Sequence, residues 1–266
     1  MGKFGFIGLG SQGAPMAQRM IDAGLDVVLW ARRPETLQPF AGTTATYADS
    51  IASLAKQVTY CAICVVDDLG VQQVCEQLIP AMPGGGYLVV HSTVHPQLCQ
   101  KLSRQAHGYG LSLIDAPVSG GGQGAADGTL TVMVGGSEDA IKNVRPVFNT
   151  FASHIAHLGD VGSGQRAKLV NNNLMAANLA LAHHALALAE TLGIQREEFI
   201  KLVSVSSGRS LAFEVCSRIN DPTDFRHGAA LLKKDLGLLA DSVHNSDHFQ
   251  AIRDVATPFL ESALAE

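Results

Sequence analysis

The chain has 266 residues, 47% of them hydrophobic, which is enough to bury a substantial core in two moderate domains and excludes a disordered chain. A formal net charge of −5 and a pI near 6.0 leave no basic excess to neutralise a phosphate backbone, which argues against a nucleic-acid partner. Five cysteines in apolar surroundings, with no framework spacing, argue against a disulfide scaffold and fit a reducing compartment.

The chain opens MGKFGFIGLG, straight into an apolar run, with no charged leader or cleavage site and with Phe6 where a myristoylation signal needs Ser or Thr. It therefore reads as a complete, soluble, cytoplasmic protein. Lys3–Gly8 is a strand, Pro15–Ala23 a helix with Gly24 beyond its end, and Val27–Trp30 a second strand, together a βαβ unit. Gly8-x-Gly10-x-x-Gly13 falls at the strand-to-helix junction, where a dinucleotide fingerprint belongs. Gly8 allows the tight turn, Gly10 lets the backbone approach a pyrophosphate, and Gly13 lets the helix pack closely. Gln12, inside the turn, joins them as a candidate cofactor contact. Where a cofactor with a free ribose 2′-hydroxyl would meet Asp or Glu after the second strand, this chain has Trp30-Ala31-Arg32-Arg33. A guanidinium forks onto a 2′-phosphate that a carboxylate would repel, so Arg32 and Arg33 predict NADP (NADPH) rather than NAD.

Strand and helix signals then alternate: strand signal Thr43–Tyr47, helix Ser50–Lys56, strand Val58–Val66, helix Leu69–Leu78, strand Tyr87–His91 and helix Gln97–His107. This alternation predicts an α/β fold with a doubly wound parallel sheet. Ligands of such sheets lie over the carboxyl ends of the strands, so Val65, Val66 and the His91-Ser92-Thr93 turn should border the cofactor. His91 itself reads as a satisfied structural residue. Cys61 and Cys64 form a C-x-x-C pair inside a strand, where residues three apart face opposite ways, so they read as core thiols.

The strand Leu111–Asp115 leads into Ala116-Pro117-Val118-Ser119-Gly120-Gly121-Gly122, followed by the strand Leu130–Val134. Taken alone this is either a flexible glycine loop or an anion nest of successive N–H groups with the Ser119 hydroxyl as an extra donor, suited to a substrate carboxylate. Glu138–Phe151 reads as a helix and His154–Leu158 as a last strand. The turn-rich Gly159–Gly164 segment marks a boundary between a nucleotide-binding domain at residues 1–161 and a helical domain at 162–266.

The helical part begins with a long Ala/Leu-rich helix, Gly162–Glu190, closed near Gly193. Arg196–Val205, Ala212–Ile219 and Ala229–Val243 read as further helices. The long helix carries Lys168, Asn171, Asn172 and Met175 at offsets of three, four and seven, which share one face. In isolation Lys168 would be read as snorkelling from the first turn. Its lysine and asparagines, with His183 and His184, make the helix a poor membrane span. The pairs His183–His184 and His244 with His248 lack a third ligand, and no metal is expected.

Four stretches agree on one family. GFIGLGSQGAPMA at 5–17, DAPVSGGGQGAADGTL at 115–130, GSGQRAKLVNNNL at 162–174 and KDLGLLA at 234–240 resemble, in the same order along the chain, the motifs of the β-hydroxyacid dehydrogenases. That family includes 3-hydroxyisobutyrate dehydrogenase and the tartronate, glyoxylate and succinic semialdehyde reductases, within the 6-phosphogluconate dehydrogenase superfamily. The resemblance implies a Rossmann domain followed by an all-α domain, with the active site in the cleft between them. It implies Lys168 as acid/base with Asn172 one turn on, Ser119, Gly120 and Gly121 around the substrate carboxylate, and Lys234 near cofactor and substrate. It also implies Thr93, in the STVHP turn at 92–96, near the nicotinamide, and Arg32 in the place of the family's common arginine. The chain departs from the pattern at Ala31, at Ala229 where a large Phe is usual, and at its end, Ala265-Glu266, which comes before the usual longer tail.

The implied chemistry is hydride transfer between nicotinamide and a small hydroxy acid or semialdehyde acid, with a proton passed to or from Lys168. Burial against apolar helix and cofactor should lower the lysine towards working pH. Two alternatives remain open: an NADPH-dependent imine reductase, whose members generally lack this lysine, and a non-catalytic NADP-binding protein. The Ala-rich spine suggests a homodimer or higher homo-oligomer.

Overall fold

In the computed structural model, which describes residues 2–243 and 246–265, the KFGFI run forms β1 (Lys3–Ile7), and its alternation decides the first layer of the fold. Phe6 packs on one face of the sheet with Met16, Met20 and Phe148, and Ile7 on the other with Leu54, Val71 and Cys99. The other strands of the sheet are β2 (Val27–Trp30), β3 (Thr46–Tyr47), β4 (Val58–Ile63), β5 (Tyr87–Val90) and β6 (Ser112–Asp115). All pairings are parallel, in the order β3-β2-β1-β4-β5-β6, the doubly wound Rossmann order with its switch point between β1 and β4. The crossovers are α1 (Gly13–Asp22), a 3₁₀ segment (Pro34–Phe40), α2 (Ile51–Ala55), α3 (Asp68–Leu78) and α4 (Pro96–His107). Ser50 caps α2 by accepting from the Ser53 N–H, and Asp67 caps α3 by accepting from the Gly70 N–H.

The strand expected over Val58–Val66 ends at Ile63. The Val65 N–H leaves the ladder for the Ser92 hydroxyl at 2.8 Å, which frees the chain to turn over the sheet's carboxyl edge. After β6 the chain leaves the parallel sheet. β7 (Val118–Ser119), β8 (Leu130–Val134) and β9 (Ala152–His157) form a separate three-stranded sheet, with β7 antiparallel and β9 parallel to β8. The intervening helices are α5 (Gly121–Asp127) and α6 (Glu138–Phe148). The glycine run read as a loop is therefore mostly helix, and Gly122 is needed for contact, since a Cβ there would lie 2.6 Å from the Ser11 carbonyl oxygen.

The helical part comprises α7 (Ser163–Thr191), α8 (Arg196–Ser204), α9 (Leu211–Ser217), α10 (Arg226–Ser242) and α11 (Asp247–Leu264). Gly193, at φ 78°, closes α7, with the Ile194 N–H returning to the Ala189 carbonyl. Leu179, Leu186, Phe213, Ala229, Phe259 and Leu260 belong to the core of this part. Compact units comprise Met1–Lys168 and Leu169–Glu266, so α7 starts in the first and continues as the spine of the second. α11 is absent from the sequence reading, yet its apolar spacing, Ile252, Ala256, Phe259, Leu260 and Ala263, and its cap, Ser246, are both helical signals. Pro258 inside it is the residue that reads as a breaker. Among the described residues no helix is long and apolar enough to cross a membrane.

Candidate active site

The glycine turn divides its work as the spacing suggests. Gly8 has φ 98°, and a Cβ there would stand 2.2 Å from the Cys64 carbonyl oxygen. A Cβ on Gly13 would stand 1.9 Å from the Gly8 carbonyl oxygen, so α1 can sit this close to β1 only with glycine at that position. Gly10 faces open space, leaving bare backbone for a ligand. No side chain caps the first turn of α1, whose N-cap is Gln12.

A cleft of about 600 Å³ opens beside this turn over the carboxyl edge of the sheet. Gly8, Gly10, Arg32, Arg33, Val65 and Val66 all lie on its wall. Gln12, Gly13 and Thr93 do not. Both arginines are exposed, and among the described residues neither forms an ion pair. Asp67, a carboxylate on the same wall, is committed to the α3 cap. The bare backbone at Gly10 and the size of the cleft fit a dinucleotide, and the two guanidinium groups lie on the same wall at the end of β2.

The start of α7 is anchored by groups that sequence reasoning did not single out. Asp115, at the end of β6 and wholly buried, accepts from the Gly162 N–H at 2.6 Å and the Gln165 N–H at 2.8 Å. A Cβ on Gly135 or Gly164 would come within 2.5 or 2.9 Å of its carboxylate oxygens, so both glycines are spacers for this carboxylate. The Gln165 side chain, also wholly buried, donates to the Ser92 carbonyl at 2.8 Å and accepts from the Val94 N–H at 3.1 Å. Lys168 follows three residues later and is 8% exposed.

In the second unit, Asn172 donates to Asp235 at 2.6 Å, and the Lys234 ammonium lies 3.5 Å from the other oxygen of the same carboxylate. Asp235 is thus the buried hub joining two candidate residues, and its place beside Lys234 in the KDL motif was the signal that could have revealed it. Ser119 ends β7 opposite Thr131. Gly120 and Gly121 have φ of 131° and 67°, which L side chains rarely adopt, and Gly121 borders open space.

His91 is buried, with Nδ1 2.7 Å from the Ala116 carbonyl and its ring edge-on to Phe148 and Phe151. Burial pulls its imidazole from 6.5 down to about 4, partly opposed by that hydrogen bond. Burial also pushes the Asp115 carboxyl from 3.8 up to about 6, against the pull of the Gly162 and Gln165 N–H groups. The two shifts act on stability with opposite signs. Unfolded Asp115 ionises first as pH rises, so its contribution is lost between pH 3.8 and about 6, roughly 3 kcal/mol at about 1.36 kcal/mol per unit. Unfolded His91 protonates first as pH falls, so its contribution is lost between pH 6.5 and about 4, again roughly 3 kcal/mol. Urea unfolding across that window should show Asp115→Asn losing stability on acidification relative to the wild type and His91→Gln gaining it. Equal slopes in all three proteins would contradict this.

The five cysteines are free thiols. Burial pushes Cys64 up to about 12 and Cys61 higher, and the two belong to cores on opposite faces of the sheet, as expected of packing thiols. Among the described residues no group of three His, Cys, Asp or Glu could hold a metal ion. His183 and His184 stack edge to face, and His244 lies outside the described residues.

Comparison with known proteins covers the whole chain. Residues 3–159 match the family model for the NAD binding domain of 6-phosphogluconate dehydrogenase, and residues 162–266 that for the NAD-binding region of NADP-dependent 3-hydroxyisobutyrate dehydrogenase. The chain is 31% identical over 272 residues to 2-(hydroxymethyl)glutarate dehydrogenase of Eubacterium barkeri, covering 99% of this chain and 89% of that protein. It is 34% identical over 262 residues to an NAD-dependent L-serine dehydrogenase of Pseudomonas aeruginosa, covering 92% and 87%. Among solved structures, Mycobacterium tuberculosis 3-hydroxyisobutyrate dehydrogenase with L-serine is similar at a TM-score of 0.87 and 27% identity, covering 99% of this chain and 95% of that one.

Proposed function

Because the chain belongs to the 3-hydroxyisobutyrate dehydrogenase-like branch of the β-hydroxyacid dehydrogenases and is an NAD(P)-dependent oxidoreductase, we propose that it uses NADP, with Lys168 as general acid/base, on a small 3-hydroxy acid or semialdehyde acid. The observation that carries the catalytic part is the lysine itself, an ammonium-bearing side chain only 8% exposed, three residues beyond Gln165 in a helix start held by the Asp115 carboxylate. When bound, the nicotinamide supplies the hydride acceptor at C4, or the donor in the reverse direction. Lys168 accepts the proton from the substrate hydroxyl as the carbinol carbon gives up its hydride, and returns it to the nascent alkoxide in reduction. Asn172, one turn along the same helix and held by Asp235, orients that oxygen. Ser119, Gly120 and Gly121 receive the substrate carboxylate, and Lys234 adds positive charge. Gly8, Gly10, Gln12 and Gly13 cradle the pyrophosphate, Val65 and Val66 border the cofactor, and Thr93 lies at the nicotinamide. Arg32 and Arg33, exposed on the cleft wall and without an ion pair among the described residues, support NADP over NAD. Turnover of NADPH and NADH with a panel of small semialdehyde acids tests the reading. Tight NADPH binding without turnover of any of them favours a non-catalytic protein, and turnover of cyclic imines instead favours the imine reductase alternative.

The quaternary proposal is a homodimer through α7. Val170, Leu174, Leu181 and Leu188 are each more than half exposed and, at spacings of four, seven and seven, make one stripe about 27 Å long. A stripe of that size is worth burying against its own copy. Sedimentation should show a dimer or larger assembly that Leu181→Glu dissociates. A wild-type monomer would exclude it.

A further inference from the structure

From the cleft wall to the first turn of α7, which leads to Lys168, runs a set of hydrogen bonds inside the first unit. The Val65 N–H, on the cleft wall, donates to the Ser92 hydroxyl. The Ser92 carbonyl and the Val94 N–H, on either side of Thr93, both bond to the Gln165 amide. The Gln165 N–H and the Gly162 N–H bond to the Asp115 carboxylate. Gln165 and Asp115 are both wholly buried, and the partners lie 71 to 73 residues from Gln165 along the chain on the turn side and 50 on the strand side.

We infer that Gln165 is a positioning residue for hydride transfer: its amide clamps the turn carrying Thr93 against the helix turn that leads to Lys168, while Asp115 fixes where that helix begins. The inference rests on the proposed role of Lys168. Two features make the clamp specific. An amide holds a donor NH2 and an acceptor oxygen at a fixed separation, and the two backbone groups flanking Thr93 need both at once. The second feature is the neighbouring carboxylate, which holds the backbone of the same residue, so Gln165 cannot slide along the helix axis without breaking a buried bond. A misplacement of about 1 Å at a reacting centre costs about 100-fold in rate, so a residue that touches neither substrate nor cofactor can still set kcat.

Gln165→Met keeps the length and removes both polar contacts. The expected result is a fall in kcat of about 100-fold with NADPH affinity, read by fluorescence titration, within about threefold of the wild type. The primary isotope effect with NADPH deuterated at the transferred position should rise, because hydride transfer becomes slower. Lost folding or stability alone lowers the active fraction and leaves the isotope effect unchanged, and that outcome overturns the inference. Gln165→Glu provides a second reading. Protonated Glu reproduces one donor and one acceptor, whereas ionised Glu turns an anion towards the Ser92 carbonyl. The ratio of its kcat to that of the wild type should therefore increase as pH falls. Cys99 from α4, Asp115 from β6 and Arg166 from α7 are titratable neighbours common to both proteins. An ionised Glu at position 165 pushes the Asp115 carboxyl further up, so the two acids protonate as a coupled pair and the ratio still rises as pH falls. A pH-independent ratio overturns the clamp. If Lys168→Ala retains turnover while Gln165→Met loses it with a raised isotope effect, the acid/base reading fails and the clamp on the Thr93 turn stands.

Discussion

Lys168→Ala is expected to lower kcat by about 10²- to 10⁴-fold, the usual contribution of a positioned acid/base, while leaving NADPH binding nearly intact. The separation of the two effects follows from where the groups sit. Gly8, Gly10, Arg32, Arg33, Val65 and Val66 share the wall of the cleft, and Lys168 is not on it. Removing the ammonium therefore takes away the proton carrier without touching that wall. Steady-state kinetics in both directions, with fluorescence titration of NADPH, provides the check. Equal loss of binding and turnover would mean that Lys168 supports the cofactor site, and the assigned role would be wrong.

The second large effect is expected at Arg32. Hydrogen bonds between charged groups contribute about 1.5–3 kcal/mol, so Arg32→Ala should raise the KM for NADPH by about 10- to 150-fold and leave that for NADH little changed. Arg32→Glu should go further, repelling the 2′-phosphate and turning preference towards NADH. Unaltered cofactor preference in both variants would contradict the 2′-phosphate reading.

The parts of the molecule legible in the sequence are those where local chemistry leaves few options. Gly8 and Gly13 are required by contacts to the Cys64 carbonyl, at the end of the neighbouring strand, and to the Gly8 carbonyl, one turn back, so the fingerprint announced both the βαβ unit and the cleft. The alternation of strand and helix signals gave a parallel, doubly wound sheet, and Gly24 and Gly193 gave the ends of α1 and α7. What was not legible depends on distant partners. Nothing near Asp115 in sequence says that its carboxylate will hold Gly162 and Gln165, 47 and 50 residues on. Val118–Ser119, Leu130–Val134 and Ala152–His157 read as strands or loop by pattern, but their separation into a second sheet follows from the chain leaving β6 at Ala116-Pro117. The short helix α5 was hidden by glycines, which are poor helix formers on their own and are used here because Gly122 must approach Ser11. The sequence reading left α11 out, although Ile252, Ala256, Phe259, Leu260 and Ala263 follow helical spacing across Pro258.

The most direct measurement is turnover of NADP⁺ and NAD⁺ with a panel of small 3-hydroxy acids, run side by side for the wild type and Lys168→Ala at equal cofactor occupancy. Acid/base catalysis by Lys168 in an NADP-dependent hydroxyacid dehydrogenase predicts that the wild type reduces NADP⁺ with at least one acid of the panel, and does so in preference to NAD⁺, while the saturated variant is nearly inert. Comparable rates in the two proteins, or cofactor binding by the wild type with no turnover of any acid, would contradict it.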